Sequence, residues 1–151
     1  MSKITVTDQK TDFKPGPDRA GADSFEFRHN RNAPYWAIAM IVMGMAGIST
    51  NWIDLGNFWK GYALDMTGPA WNYILFRGLF TRWAENKWRK FFTPARTYLI
   101  FVLVCFSIEG AQYLDLYNAT FDPWDLLAYL SLLTPAFLLD TWQSSVQDVQ
   151  T

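Results

Sequence analysis

Four polar side chains in the last third of the chain have types and spacing that suit ligand binding. Glu109 and Gln112 lie three residues apart inside an apolar run, and Asp122 and Asp125 repeat that spacing. Residues three apart share one face of a helix. A carboxylate in an apolar helix is costly and generally faces a bundle interior or a wet cavity. These residues therefore form a candidate ligand-binding cluster, in which Glu109 is the ionisable group, Gln112 orients it, and Asp122 and Asp125 shape the entrance.

Three interpretations of this cluster stay open. Asp122 is suited to cap a helix that starts at Pro123, and the helix dipole favours Asp125 in the first turn, so the cluster can be structural. Alternatively, an apolar setting keeps Glu109 protonated, and the carboxylates share a proton. The third interpretation is a cation or lipid-headgroup site. The spacing matches no known metal loop, so we predict no metal and no cofactor.

Familiar enzyme chemistry is not indicated. The chain has a single histidine, His29, which precedes the apolar segments, and it contains no G-x-S-x-G, P-loop or C-x-x-C motif. Cys105 lies in an apolar run, where cysteine usually serves as a small packing residue. A net charge of −1 does not favour a nucleic-acid partner. We therefore expect a binding or structural protein rather than an enzyme.

Four segments of low charge provide the elements that must position the cluster. The first, over 35–53, has no charged residue, and as a helix it is about 28 Å long, close to the thickness of a bilayer core. Gly44 and Gly47 share a face of this helix, which favours close helix packing. The sequence predicts an all-α membrane protein, a bundle of four transmembrane helices that span about 35–53, 66–83, 97–114 and 125–142.

The ends of the chain are polar. Residues 1–34 contain six basic and five acidic residues and few large apolar ones, which predicts a flexible charged tail. No apolar run follows the basic start, so we expect no signal peptide. Residues 143–151 are a short second tail.

Basic residues alternate between the segments that connect these helices. Twelve lie in the N-terminal tail and in 77–96, whereas the opposite side has only Lys60. The positive-inside rule then places both termini of this multi-pass protein in the cytoplasm. The helix over 66–83 crosses fully only if Arg77 snorkels or pairs.

One basic stretch has two interpretations. It mixes aromatic residues with cations and can bind anionic lipid headgroups, or it can serve only as a topology anchor, which the positive-inside rule already explains. The candidate headgroup ligands are Arg82, Lys87, Arg89 and Lys90.

The two halves of the cluster resemble the core of VanZ-like membrane proteins. The matching stretches are Ile108-Glu109-Gly-Ala-Gln112-Tyr113 and Phe121-Asp122-Pro-Trp-Asp125-Leu-Leu-Ala-Tyr129. They look closer still to a sister group of small bacterial inner-membrane proteins, and 61–75 looks like that group's second helix. The resemblance implies a four-helix bundle in which Glu109, Gln112, Asp122 and Asp125 occupy the family's polar positions. The chain lacks the Arg that such proteins tend to carry shortly before the first Asp.

Two functional hypotheses follow. In the first, the protein is a VanZ-like envelope protein that binds a lipid or lipid-linked ligand at the outward-facing cluster. In the second, it is an accessory or assembly subunit of a larger membrane complex, with other membrane subunits as partners. A small transporter is less consistent with the sequence, which has no internal repeat and no pair of broken helices.

Overall fold

A computed structural model describes residues 17–81, 87–116 and 121–145, with the backbone only for 17–28 and for Arg89. Within these ranges the chain is entirely helical and contains no strand. The helices are α1 (Pro17–Ser49), α2 (Asn57–Arg77), α3 (Lys87–Phe91), α4 (Pro94–Tyr113) and α5 (Pro123–Ser145).

The first helix begins well before the predicted start at residue 35. It continues through Pro34, although proline supplies no N–H to the helix. The extension is held by a tertiary contact: His29 is buried and its Nε2 donates to the carbonyl oxygen of Thr81. Residues 17–34 of the predicted tail are therefore helical, while 1–16 and most of the C-terminal tail lie outside the described residues.

The second helix is displaced towards the N-terminus from the predicted 66–83. Its end is set by Gly78, which adopts the left-handed conformation with φ 61°. Gly78 N–H bonds the carbonyl of Leu75, and Leu79 N–H bonds that of Ile74, which together form a Schellman motif. Glycine adopts this backbone conformation without steric penalty, so the chain turns here rather than at residue 83.

The last two long helices lie close to their predicted positions. α4 starts with Pro94 in its first turn, and Thr93 caps it by accepting a hydrogen bond from the Arg96 N–H at 3.4 Å. α5 continues through Pro135 to Ser145, so this proline does not end the helix.

The helix α2 is central to the packing and contacts α1, α4 and α5. Tyr73, Ile74 and Leu133 are fully buried in the core between α2 and α5. On α1 the predicted glycine face is confirmed. A Cβ on Gly47 would lie 2.7 Å from Thr67 Oγ1, so the two helices approach too closely for a larger residue.

Two of the described helical segments are long and apolar enough to cross a membrane. They are His29–Ser49 and Pro94–Tyr113. Few residues of either segment are buried within the protein, because their apolar side chains point outwards. The structure thus shows an all-helical protein with two membrane-compatible helices.

Candidate functional site

The start of α5 places the two aspartates of the cluster as the sequence predicts. Pro123 is the first helical residue, and Asp122 Oδ1 accepts a hydrogen bond from the Trp124 N–H at 3.0 Å. Asp125 lies in the first turn. The predicted cap is confirmed, and Asp125 remains half-buried beside it.

Glu109 lies inside the bundle, where it faces α5. Its side chain is 2% exposed, and the Tyr129 hydroxyl donates to its Oε1 at 2.9 Å. A buried carboxylate needs such donors, because leaving one unpaired is costly. Tyr129, which the sequence indicated only as an additional hydroxyl, therefore helps to hold Glu109 in place.

The helix α2 completes the cluster from the opposite side. The Tyr62 hydroxyl donates to Asp122 Oδ2 at 2.8 Å, and so joins α2 to the start of α5. Asp65, one turn further along α2, interacts electrostatically with Asp125 and Glu109. Asp125 in turn interacts with Asp122 and Glu109. The site thus gathers four carboxylates from three helices.

Two adjoining cavities open between α2 and α5 at this end. The first, the α2–α5 groove, has a volume of about 400 Å³. It is lined by Phe58, Tyr62 and Met66 from one helix and by Trp124, Leu127, Ala128 and Ser131 from the other. On each helix these residues are mostly three or four positions apart, so one face of α2 and one face of α5 line the groove. Its wall is almost wholly apolar.

The second cavity, the carboxylate mouth, has a volume of about 550 Å³. It is lined by Asn57, Phe58, Gly61, Tyr62, Asp122 and Asp125. Phe58 and Tyr62 line both cavities, so the mouth and the groove lie side by side. An apolar pocket with a few convergent polar groups is the usual form of a small-molecule site.

Lys60, the cation nearest in sequence to the residues of the mouth, forms an ion pair with a residue outside it. Lys60 Nζ lies 2.8 Å from Asp54 Oδ2 in the loop before α2. Its hydrogen bond holds the pKa of the Asp54 carboxyl below its usual range. No Lys or Arg is among the described residues that line the mouth, so its charge is negative.

Other predicted residues lie away from this site. Gln112 is half-buried on α4 and lines neither cavity, and Asn72 donates to the carbonyl of Gly68 in its own helix. Tyr113 is exposed and packs edge-on against Phe121. In the basic stretch, Lys87 and Lys90 are exposed, whereas Arg82 and the Arg89 side chain lie outside the described residues.

A second polar cluster lies at the other end of α2 and α5. Arg77 Nε and Nη2 donate to Asp140 at 2.6 and 3.1 Å, and the Tyr73 hydroxyl donates to the same carboxylate at 2.6 Å. Arg77 Nη1 also donates to the carbonyl of Phe92 at 2.7 Å. The sequence indicated that Arg77 must pair or snorkel, but nothing local to Arg77 identifies Asp140 as its partner.

Metal binding is not supported by the described side chains. Within 17–81, 87–116 and 121–145, no group of three His, Cys, Asp or Glu residues is placed to hold a metal ion. Comparison with protein-family models, with curated proteins and with solved structures finds no match to the chain.

Proposed function

We propose that this chain is a multi-pass protein of a bacterial inner membrane that binds a lipid or lipid-linked ligand. Four helices, α1, α2, α4 and α5, would cross the bilayer with both termini in the cytoplasm. The distribution of side chains supports a lipid surrounding. Polar groups such as Thr97, Glu109 and Asp140 are buried, whereas large apolar side chains cover the outside of α1 and α4. Monomers in water rarely expose apolar surface so extensively.

The spacing of the two polar clusters also supports this placement. Along α5, Asp122 and Asp140 are about 27 Å apart at 1.5 Å per residue. That distance is close to the roughly 30 Å of a bilayer core. The exposed indoles of Trp124 and Trp142 lie near these two levels, as in an interfacial aromatic belt. The helices α2 and α5 carry more polar residues than the two membrane-compatible helical segments. Their buried charges, Arg77 and Asp140, form an ion pair within the bundle.

The α2–α5 groove carries the functional part of the proposal. A groove with an apolar wall suits an acyl chain, and the carboxylate mouth above it suits a polar headgroup. Under the predicted topology the mouth lies at the outer surface of the membrane. A ligand can enter there from the outer leaflet without leaving the bilayer.

Each residue of the predicted cluster has a part in this proposal. Asp122 and Asp125 form the entrance, and Tyr62 fixes Asp122 by its hydrogen bond. Glu109 supplies a buried carboxylate within electrostatic range of Asp125, and Tyr129 fixes it. Gln112 lines neither cavity, so its part would be limited to orienting Glu109 from the same helix. The resemblance to VanZ-like proteins implies that Glu109, Gln112, Asp122 and Asp125 occupy the family's polar positions.

Retention of lipid by the purified full chain tests the proposal. Ser131→Trp places a large side chain in the groove. Leu138→Trp is the matched control, because Leu138 is exposed on the same face of α5 but lies outside the groove. After extraction in mild detergent and gel filtration, mass spectrometry measures lipid per protein. We expect near-stoichiometric lipid in the wild type and in Leu138→Trp, and a large loss in Ser131→Trp. Equal retention in all three proteins would contradict the proposal.

The role of Glu109 has its own test. Glu109→Gln keeps an oxygen that accepts the Tyr129 hydrogen bond but removes the ionisable group. We expect the variant to fold, as judged by circular dichroism, and to retain less lipid than the wild type. A folded variant with unchanged lipid retention would show that Glu109 has no part in binding.

A further inference from the structure

Building on the proposed lipid site, we infer that its ligand is a zwitterionic phospholipid whose headgroup carries an ammonium group. The inference rests on the α2–α5 groove and on the charges at its opening. The groove has an almost wholly apolar wall and opens only a short distance from Asp122 and Asp125. An amphiphile whose acyl chain occupies the groove must therefore place its headgroup in the carboxylate mouth.

The charge of the mouth selects the headgroup. Asp122 and Asp125 line it, and Asp65 and Glu109 interact electrostatically with Asp125 from behind. No cation is among the described residues that line the mouth. Lys60, the nearest in sequence, forms an ion pair with Asp54. An anionic headgroup would be repelled, whereas an ammonium group donates three hydrogen bonds to carboxylate oxygens.

The carboxylates retain the capacity to accept those bonds. Asp122 uses Oδ1 for the Trp124 N–H and Oδ2 for the Tyr62 hydroxyl, and each carboxylate oxygen has a second lone pair. Asp125 is half-buried and stands at the same opening. The two side chains can therefore bind one ammonium group without breaking the contacts that position them.

The same opening complements the phosphate of a zwitterionic lipid. The mouth includes Asn57 and Phe58, the first two residues of α2, whose start has no side-chain cap. The start of a helix carries a partial positive charge and attracts phosphate oxygens. The positive start of α2 and the negative start of α5 thus match the two charges of such a headgroup.

The test is a competition between two phospholipids with identical acyl chains. Delipidated full-length protein in detergent is mixed with equal amounts of an ethanolamine and a glycerol phospholipid, and the retained lipids are quantified after gel filtration. We expect the ethanolamine lipid to be enriched about fivefold, an effect of the size that one partly exposed ion pair supplies. Asp125→Asn should abolish the enrichment, because it removes one of the two carboxylates that line the mouth.

Asp115→Asn is the matched control, because it removes one exposed charge outside the mouth and asparagine tolerates the positive φ of that residue. Its enrichment should equal that of the wild type. Retained lipid without a headgroup preference, or with preference for the glycerol lipid, would overturn the inference and leave the lipid site standing. Absence of retained lipid from the wild type would overturn both.

Discussion

Arg77 and Asp140, 63 residues apart in sequence, form a bidentate ion pair across the interface of α2 and α5. Both side chains are largely buried, and the Tyr73 hydroxyl and the Phe92 carbonyl satisfy further hydrogen bonds of the pair. The pair lies at the opposite end of these helices from the carboxylate mouth. It therefore fixes α2 against α5 and, with them, the width of the groove.

Removal of one partner of this pair should strongly destabilise the fold. Asp140→Leu leaves an uncompensated buried guanidinium, which costs roughly 3–5 kcal/mol, whereas Arg77→Met with Asp140→Leu removes both charges. We expect the double variant to lose less stability than Asp140→Leu alone. The free energy of unfolding in a detergent titration measures both losses. A double variant that loses as much stability as Asp140→Leu, or more, would show that the two charges do not stabilise each other.

The bond between Tyr129 and Glu109 should also contribute to stability. Tyr129→Phe removes the donor and leaves a buried carboxylate oxygen with one partner fewer, a loss of about 1–3 kcal/mol. The midpoint of thermal unfolding should fall accordingly. Tyr113→Phe is the control, because that ring is exposed and packs edge-on against Phe121. If both variants unfold at the same temperature, the Tyr129 bond is not stabilising.

Close packing of α1 on α2 gives a third prediction. Gly47→Ala places a methyl group against Thr67 Oγ1. Thr67 cannot easily move away, because its side chain is β-branched and its hydroxyl donates a hydrogen bond to the carbonyl of Ala63. We expect a loss of about 1–3 kcal/mol in the free energy of unfolding. Gly68→Ala is the control, since its Cβ meets open space and alanine favours helix. A Gly47→Ala variant as stable as Gly68→Ala would contradict the observed approach.

The features that the sequence predicted are those with local causes. The cap at Asp122 and Pro123 depends on adjacent residues, and the face shared by Gly44 and Gly47 depends on helical spacing alone. The early start of α1 depends instead on the contact of His29 with Thr81, which is distant in sequence. The partner of Arg77 is equally distant, since Asp140 lies 63 residues further along the chain. Pairing across helices is set by tertiary packing, which spacing within one segment does not encode.

The start of α2 illustrates a further limit of hydropathy. Lys60 and Asp65 exclude 57–65 from an apolar run, yet these residues are helical and supply Phe58 and Tyr62 to both cavities. A helix is stable when one of its faces is apolar and packs against its neighbours, and its other faces can be polar. The groove was therefore not predictable from the apolar segments, although the aspartates of the carboxylate mouth were.

Cysteine labelling in intact spheroplasts tests whether the bundle crosses the membrane with the carboxylate mouth outside. Single cysteines replace Ile53, Thr81, Leu116 and Ser145, four exposed positions, in a background in which the only native cysteine is removed by Cys105→Ala. A membrane-impermeant maleimide should label positions 53 and 116 in intact spheroplasts and positions 81 and 145 only after permeabilisation. Labelling of all four positions only after permeabilisation, or of positions 53 and 81 together, would show that the bundle does not cross the membrane in this orientation.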